Sequence, residues 1–218
     1  MSWLSNLYAT YEKALQLDIS DDLKPLPIGH VLQNAHIKVT IDIEGKFQRA
    51  EVLDKSTQIV LPSTEDSAGR TSGEAPHPLA DKIQYVAGDY AKYGGQKKHY
   101  YNGYLKQLSD WCNSNFSTKQ ICAVKAYVEK GTLVADLIGS QVLFVDDQNK
   151  LLSDWPKSSD KDIPKIFQTL PPGQKEAGSA LVCWNVESIN SNIISETWLN
   201  PIIQKAWVDF TIVIQASS

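Results

Sequence analysis

The feature that most constrains the fold is a strict alternation of apolar and polar side chains over residues 35–44. Isoleucine or valine occupies every second position, which is the period of a strand with one buried face. A tight turn at residues 44–46 follows, and residues 47–53 and 57–61 form two further strand patterns. The first sixty residues therefore predict an amphipathic helix over residues 2–17 followed by a small antiparallel sheet.

The later part of the chain has mainly helical periodicity. Apolar residues recur at intervals of three and four positions in residues 79–90, 100–113, 118–129 and 133–138. Residues 141–145 and 180–186 read as strands, the proline-broken stretch 146–178 as an irregular connection, and Pro201 as the first turn of a last helix. We therefore predict an α+β fold: an N-terminal helix and small antiparallel sheet, then a mainly helical region with a further strand and a C-terminal helix. The subregions would be 1–78 and 79–218 of one domain.

Composition limits the functional classes. The 218 residues carry a net charge of −4, and a free-standing nucleic-acid binder usually has a basic excess. No run of eighteen apolar residues suggests a membrane span, and the N-terminus lacks the pattern of a secretory signal. We therefore expect a cytoplasmic protein with no membrane partner.

Catalytic and metal-binding motifs are missing from the sequence. The three cysteines, Cys112, Cys122 and Cys183, have no CxxC spacing, so we expect reduced, packed thiols. The histidines form no paired-ligand pattern, and the glycine loop fits neither a nucleophile elbow nor a phosphate-binding Walker loop. We therefore predict no catalytic residue, no metal site and no cofactor.

The segment 63–82 carries the most informative local chemistry. Gly69 and Gly73 permit a close backbone approach to a ligand, and Arg70 between them has a planar fork that suits phosphate or base edges. Thr71 and Ser72 add small donors. The pattern predicts an anion-binding or groove-reading loop. A mobile surface loop with no ligand remains an equal alternative.

The segment 92–106 interleaves lysines with tyrosines. Cations beside aromatic rings are typical of a surface that follows a nucleic-acid backbone, so Lys97 and Lys98 are candidate backbone contacts. The alternative is a helix whose tyrosines form the core face and whose lysines are solvated.

Five ordered blocks of sequence resemble a known family. They are SAGRTSG at 67–73, PHPLADK at 76–82, QYVAGDY at 84–90, PIGHVLQNAHIKVTID at 27–42 and WLNPIIQKAWVDF at 198–210. Together they resemble the large subunit of the type I-C CRISPR interference complex, Cascade. Members of that family are much longer, so the resemblance identifies the chain as the N-terminal domain of a longer large subunit.

The resemblance implies a non-enzymatic role in recognising the protospacer-adjacent motif of duplex DNA at the end of the complex that holds the 5′ handle of the guide RNA. It also implies a Cas five-type neighbour, other Cascade subunits and a recruited nuclease-helicase as partners. It assigns DNA contacts to the block at Gly69, Arg70, Thr71, Ser72 and Gly73 and to Lys82, and less directly to Asn34, His77 and Gln84, with Lys97 and Lys98 on the backbone.

Two other functions remain open at the level of sequence. One is an enzyme that binds a phosphorylated ligand in the loop between Gly69 and Gly73. The other is an assembly scaffold in which Trp198 and Trp207 lie on an interface helix. The motif-reading hypothesis requires an accessible Arg70 guanidinium, and it collapses if the loop is buried in the interior with that guanidinium bound to an internal carboxylate.

Overall fold

The computed structural model describes residues 13, 25–70, 73–95, 98–156, 162–170, 176–189 and 193–216. Apart from residue 13, the predicted helix over residues 2–17 lies outside the described residues, as do Thr71, Ser72 and Lys97. Lys98 lies in a described helix, but its side chain does not belong to the described part.

The described elements confirm the α+β prediction. The strands are β1 (His30–Asn34), β2 (Ile37–Asp42), β3 (Phe47–Val52), β4 (Gln58–Pro62), β5 (Asp81–Lys82) and β6 (Leu181–Glu187). The α-helices are α1 (Glu65–Ala68), α2 (Ile83–Val86), α3 (Lys98–Cys112), α4 (Lys119–Val128), α5 (Leu133–Gly139), α6 (Lys165–Thr169) and α7 (Pro201–Ala216). Short 3₁₀ turns cover Tyr90–Tyr93 and Ala177–Ser179.

The main sheet has the strand order β3-β2-β6-β5. Strand β2 forms the predicted antiparallel hairpin with β3, and its apolar positions Ile37, Val39 and Ile41 are fully buried. On its other edge β2 pairs in parallel with β6, so that Val39 lies opposite Trp184. Because β2 and β6 come from distant parts of the chain, this one sheet unites residues on both sides of position 78.

A second sheet pairs β1 with β4 in antiparallel register. The C-terminal helix α7 closes over its end, where the indole N–H of Trp207 lies 3.0 Å from the Gly29 carbonyl and 3.2 Å from that of Ser63. Trp207 also packs edge-on against Trp111 with the ring centroids 5.0 Å apart. Trp207 is therefore a core residue, which removes it from the interface helix of the scaffold hypothesis.

Helices α3 and α4 form an antiparallel hairpin. The hydroxyl of Thr118 accepts a hydrogen bond from the amide of Ile121 and so caps the N-terminus of α4. The prediction that Cys112 and Cys122 are reduced is wrong, since the structure joins them in a disulfide. The hairpin turn brings their Cα atoms to 5.3 Å, within the range that a disulfide spans. Cys183 is free and buried, as expected.

Two predicted elements differ from the structure. Residues 79–90 do not form one helix. They contain the two-residue strand β5, the single-turn helix α2 and the start of a 3₁₀ turn, because the edge of β6 pairs with Asp81 and Lys82. Residues 141–145 form no strand beyond one bridge between Val145 and Leu151.

Candidate nucleic-acid interface

The glycine-rich segment leaves β4 through the four-residue helix α1 and returns at β5. Thr64 and Ser67 form a reciprocal capping box, in which each side chain accepts a hydrogen bond from the other residue's backbone amide. The core anchors the exit of this segment, because the carbonyl of Leu79 accepts hydrogen bonds from the hydroxyl of Tyr104 at 2.6 Å and the indole of Trp184 at 2.8 Å.

Arg70 does not present an open guanidinium. Its Nη1 and Nη2 each lie 2.8 Å from one carboxylate oxygen of Asp81, and Nη1 also donates to the Ala75 carbonyl at 2.6 Å. The side chain of Arg70 is 8% exposed and that of Asp81 is fully buried. The structure therefore corrects the role given to Arg70, because its fork is already occupied by an internal carboxylate.

The Asp81 carboxylate is the centre of a larger network. It also accepts hydrogen bonds from the backbone amides of His77 at 2.8 Å and of Lys82 at 2.7 Å. Four donor contacts thus converge on one buried carboxylate, which satisfies its hydrogen-bonding capacity. The network fixes both ends of the stretch between Arg70 and Lys82.

Tyr85 completes this support. The guanidinium carbon of Arg70 lies 4.1 Å above the centroid of the Tyr85 ring, in cation–π geometry. The Tyr85 hydroxyl donates to the Gly73 carbonyl at 2.6 Å, and its ring stacks on Tyr100 at 4.7 Å. Burial raises the pKa of Tyr85 to about 12, against the opposing charge of Arg70, so the hydroxyl stays a donor at neutral pH. Gly73 has a φ of 112°, a conformation that side chains rarely adopt.

His77 lies beside the same network and is almost completely buried. Burial lowers the pKa of His77 to about 4, with Asp81 acting in the opposite direction, so the ring is neutral at pH 7. Its Nδ1 is buried without a hydrogen-bond partner. His77 therefore contributes a neutral ring and no positive charge beside the network at pH 7.

A polar groove of about 240 Å³ lies beside the network of Arg70, Asp81 and Tyr85. Five of the residues predicted from the sequence line it, namely Arg70, Gly73, His77, Lys82 and Gln84. Sequence reasoning missed three further polar lining residues, which are Gln33, Ser179 and Glu176. Gln33 lies on β1, a strand that the alternation did not reveal, and Ser179 and Glu176 come from a distant turn. Only the pairing of β6 with β5 brings that turn to the groove.

Two other predicted site residues that the structure describes do not line this groove. Gly69 is exposed at the end of α1, and Asn34 is exposed at the end of β1, one position beyond Gln33. Two tyrosines of the basic segment, Tyr101 and Tyr104, pack inward as the alternative prediction required. Tyr104 is fully buried, and the hydroxyl of Tyr101 donates to the Val128 carbonyl at 2.8 Å.

Neither a metal site nor a membrane-spanning helix is found in the part of the chain that the structure describes. In these residues no group of three or more histidine, cysteine, aspartate or glutamate side chains is arranged to hold a metal ion. No described helix combines the length and the apolar character that crossing a membrane requires.

The sequence matches a family model of CRISPR-associated proteins, Cas_Csd1, over residues 7–217. This match covers almost the whole chain, so the protein belongs to the Cas_Csd1 family of CRISPR-associated proteins. A comparison with curated proteins gave no significant match.

Proposed function

We propose that this chain is the motif-recognising part of the large subunit of a type I-C Cascade complex, and that the groove beside the Arg70–Asp81 pair takes the protospacer-adjacent motif of duplex DNA. The proposal makes the chain a non-enzymatic subunit in which guide pairing reads most of the sequence. Its family membership and the polar groove support this function.

The observation that carries the proposal is the way the groove is built. Lys82 and Gln84 line it, and Lys82 follows directly the carboxylate that fixes the backbone. Side-chain amides pair with base edges and lysines with phosphates or guanine, so these residue types suit a short inspection of a duplex. Arg70 acts in this scheme as the support of the groove, not as its reader.

The binding of duplex DNA to the assembled interference complex tests this proposal. We expect Gln84→Ala to reduce the preference for motif-bearing over scrambled duplex by about 1–3 kcal/mol, if its amide meets a base edge. We expect Lys82→Ala to weaken the binding of all duplexes, with or without the motif, and to make the salt dependence of binding shallower. Gln58→Ala is the matched control, because Gln58 is exposed on β4 and does not line the groove. Unchanged capture by both groove variants would contradict the proposal.

The other functions make different predictions. An enzyme that binds a phosphorylated ligand would use Arg70, but this guanidinium is paired with Asp81. A pure scaffold predicts that joint replacement of Lys97 and Lys98 changes nothing, whereas contact with the nucleic-acid backbone, including the 5′ handle of the guide RNA, predicts lower affinity with a smaller salt slope. We propose neighbouring Cascade subunits and a recruited nuclease-helicase as the protein partners.

A further inference from the structure

A second cavity of about 390 Å³ adjoins the polar groove. Gln84 and Glu176 line both, so the two spaces share a wall. The new side chains that line the second cavity are Tyr90, Tyr93 and Lys150, with Ser153 beside them. None of these residues belongs to the motif-recognising groove described above.

Tyr90 is a rigid wall of this cavity. The backbone amide of Gly178 donates to its hydroxyl, and a β-carbon at either Gly95 or Gly178 would overlap the Tyr90 side chain. Burial raises the pKa of Tyr90, so the hydroxyl remains protonated at neutral pH. The two glycines therefore leave space that only this ring fills, and they hold it in one position.

Lys150 supplies a positive charge at the same cavity. It forms no ion pair with any residue that the structure describes, whereas the lysines of α3 and α4 at positions 106 and 125 are paired with carboxylates. Its stem lies over Gly94, where the position of a β-carbon is 3.4 Å from Lys150 Cγ. The next residue, Leu151, donates its amide to the carbonyl of Tyr93 at 3.0 Å, so Lys150 and Tyr93 are held side by side.

These groups match the parts of a nucleotide. Tyrosine rings provide surfaces on which an unpaired base stacks, and a lysine ammonium binds a phosphate. The carboxylate of Glu176 can accept a hydrogen bond from the exocyclic amino group of a base. The cavity volume lies in the range of about 300–1,000 Å³ that is usual for small-ligand sites.

We infer that the cavity between Tyr93 and Lys150 binds one unpaired nucleotide of a single strand, beside the groove that holds the duplex. This inference rests on the proposed function, because the shared residues Gln84 and Glu176 make the site continuous with the motif groove. Recognition here uses stacking and one phosphate contact, so it tolerates different bases and accepts a deoxyribonucleotide or a ribonucleotide.

The chain contains a matched control for Lys150. Asp146 Oδ1 accepts the Lys150 amide at 2.9 Å, and Asp42 Oδ1 accepts the Lys46 amide at 2.7 Å, so the two lysines end turns of the same design. Lys46 is exposed like Lys150 but lines neither the groove nor the second cavity. Lys46→Glu therefore changes the net charge as Lys150→Glu does without touching the site.

The test measures fluorescence anisotropy of the assembled interference complex with labelled oligonucleotides of four kinds: a blunt motif duplex, the same duplex with a short unpaired extension that does not pair with the guide, and the extension alone as DNA or as RNA. We expect the extension to tighten binding in the wild type. We expect Lys150→Glu and Tyr93→Ala each to remove about fivefold or more of that gain. Lys46→Glu should keep it, and the stronger of the DNA and RNA arms identifies the source of the nucleotide.

The outcomes separate this inference from the proposed function. If the wild type binds the blunt duplex and gains nothing from an extension, the nucleotide site is wrong while motif recognition stands. If the extension binds and the blunt duplex does not, motif recognition fails and the nucleotide site stands. An equal loss with Lys46→Glu and Lys150→Glu would show a general charge effect and overturn the site. Thermal unfolding of each variant identifies any loss that comes from misfolding.

Discussion

Asp81 and Asp89 lie eight positions apart in the sequence, and both are almost completely buried, yet the fold satisfies them in different ways. Asp81 accepts from the guanidinium of Arg70 and from two amides near it in sequence. Asp89 accepts from the backbone amides of Val134 and Ala135, each at 3.0 Å, at the start of α5. Asp81 thus holds the loop between Arg70 and Lys82 through an opposite charge. Asp89 instead joins the segment after α2 to helix α5 through backbone amides.

The difference teaches how the groove is kept in place. Burial raises the pKa of Asp89, although its amide hydrogen bonds act in the opposite direction. The amides of a helix N-terminus stabilise a negative charge without a cation. Asp81 instead faces a full positive charge in a water-poor site, so the removal of either partner leaves the other buried and unpaired. The loop that supports the groove therefore depends strongly on the single Arg70–Asp81 pair, whereas the contact of Asp89 with α5 is shared between two amides.

The largest effect is expected from Asp81→Ala. The variant leaves the buried Arg70 guanidinium without its carboxylate, which should lower the free energy of unfolding by about 3–5 kcal/mol. Urea denaturation of the purified protein measures this loss. Asp110→Ala is the control, since the Asp110–Lys106 pair is exposed and should contribute less than about 1 kcal/mol. A loss at Asp81 as small as that of the control would show that the pair does not hold the loop.

A double replacement sharpens this result. Arg70→Met together with Asp81→Leu removes both charges and leaves neither of them buried alone. We expect the double variant to be more stable than the two single losses predict when they are added. Additive losses would mean that the two side chains do not act as a pair.

Acidification should act on the same network through His77. The pKa of His77 is about 4 in the folded protein, and in the unfolded chain it has its ordinary value of 6.5. The unfolded chain therefore binds a proton that the folded chain does not between these values, so stability is complete above pH 6.5 and falls as the pH approaches 4. The contribution is about 3 kcal/mol. Denaturation at a series of pH values measures it, and His77→Gln should flatten the profile in this range. An unchanged profile in the variant would assign the acid sensitivity to other groups.

Asp89→Ala should have the next largest effect on stability. It leaves the amides of Val134 and Ala135 without their acceptor in a buried position, and we expect a loss of about 1–3 kcal/mol. Hydrogen exchange of these two amides gives a local measurement, because their protection should fall more than that of amides in α4. Equal protection in variant and wild type would contradict the capping role of Asp89.

The sequence predicted well those elements that local patterns determine. Alternation revealed β2, a second strand pattern revealed β3, and the periodicity of three and four residues revealed α3 and α4. Each of these signals is complete within about fifteen residues of sequence. The structure adds the long-range partner, since the parallel pairing of β2 with β6 joins segments that no local pattern connects.

The candidate site was predicted in composition but not in geometry. Lys82 and Gln84 line the groove, whereas Arg70 was predicted to be open because nothing in the sequence shows that Asp81 faces it. Asp81 looked like a polar residue of a helix that continued to residue 90. Asp81 instead pairs with Arg70 in the interior, because its backbone pairs with β6 at the edge of the sheet. The role of a charged residue therefore depends on which counter-charge the tertiary structure brings to it.

The smallest effect on stability is expected from Gln84→Ala, which separates support from recognition. Gln84 lies between the two aspartates in sequence and is half-buried, but its side chain makes no hydrogen bond to any residue in the described part of the chain. Its removal should change the free energy of unfolding by less than about 0.5 kcal/mol. Urea denaturation of the purified variant checks this value. A stability loss as large as that of Asp89→Ala would mean that Gln84 supports the fold, and any change in DNA capture would then be indirect. A neutral stability result together with weaker motif preference would place the recognition chemistry on the side chains that the buried carboxylates do not bind.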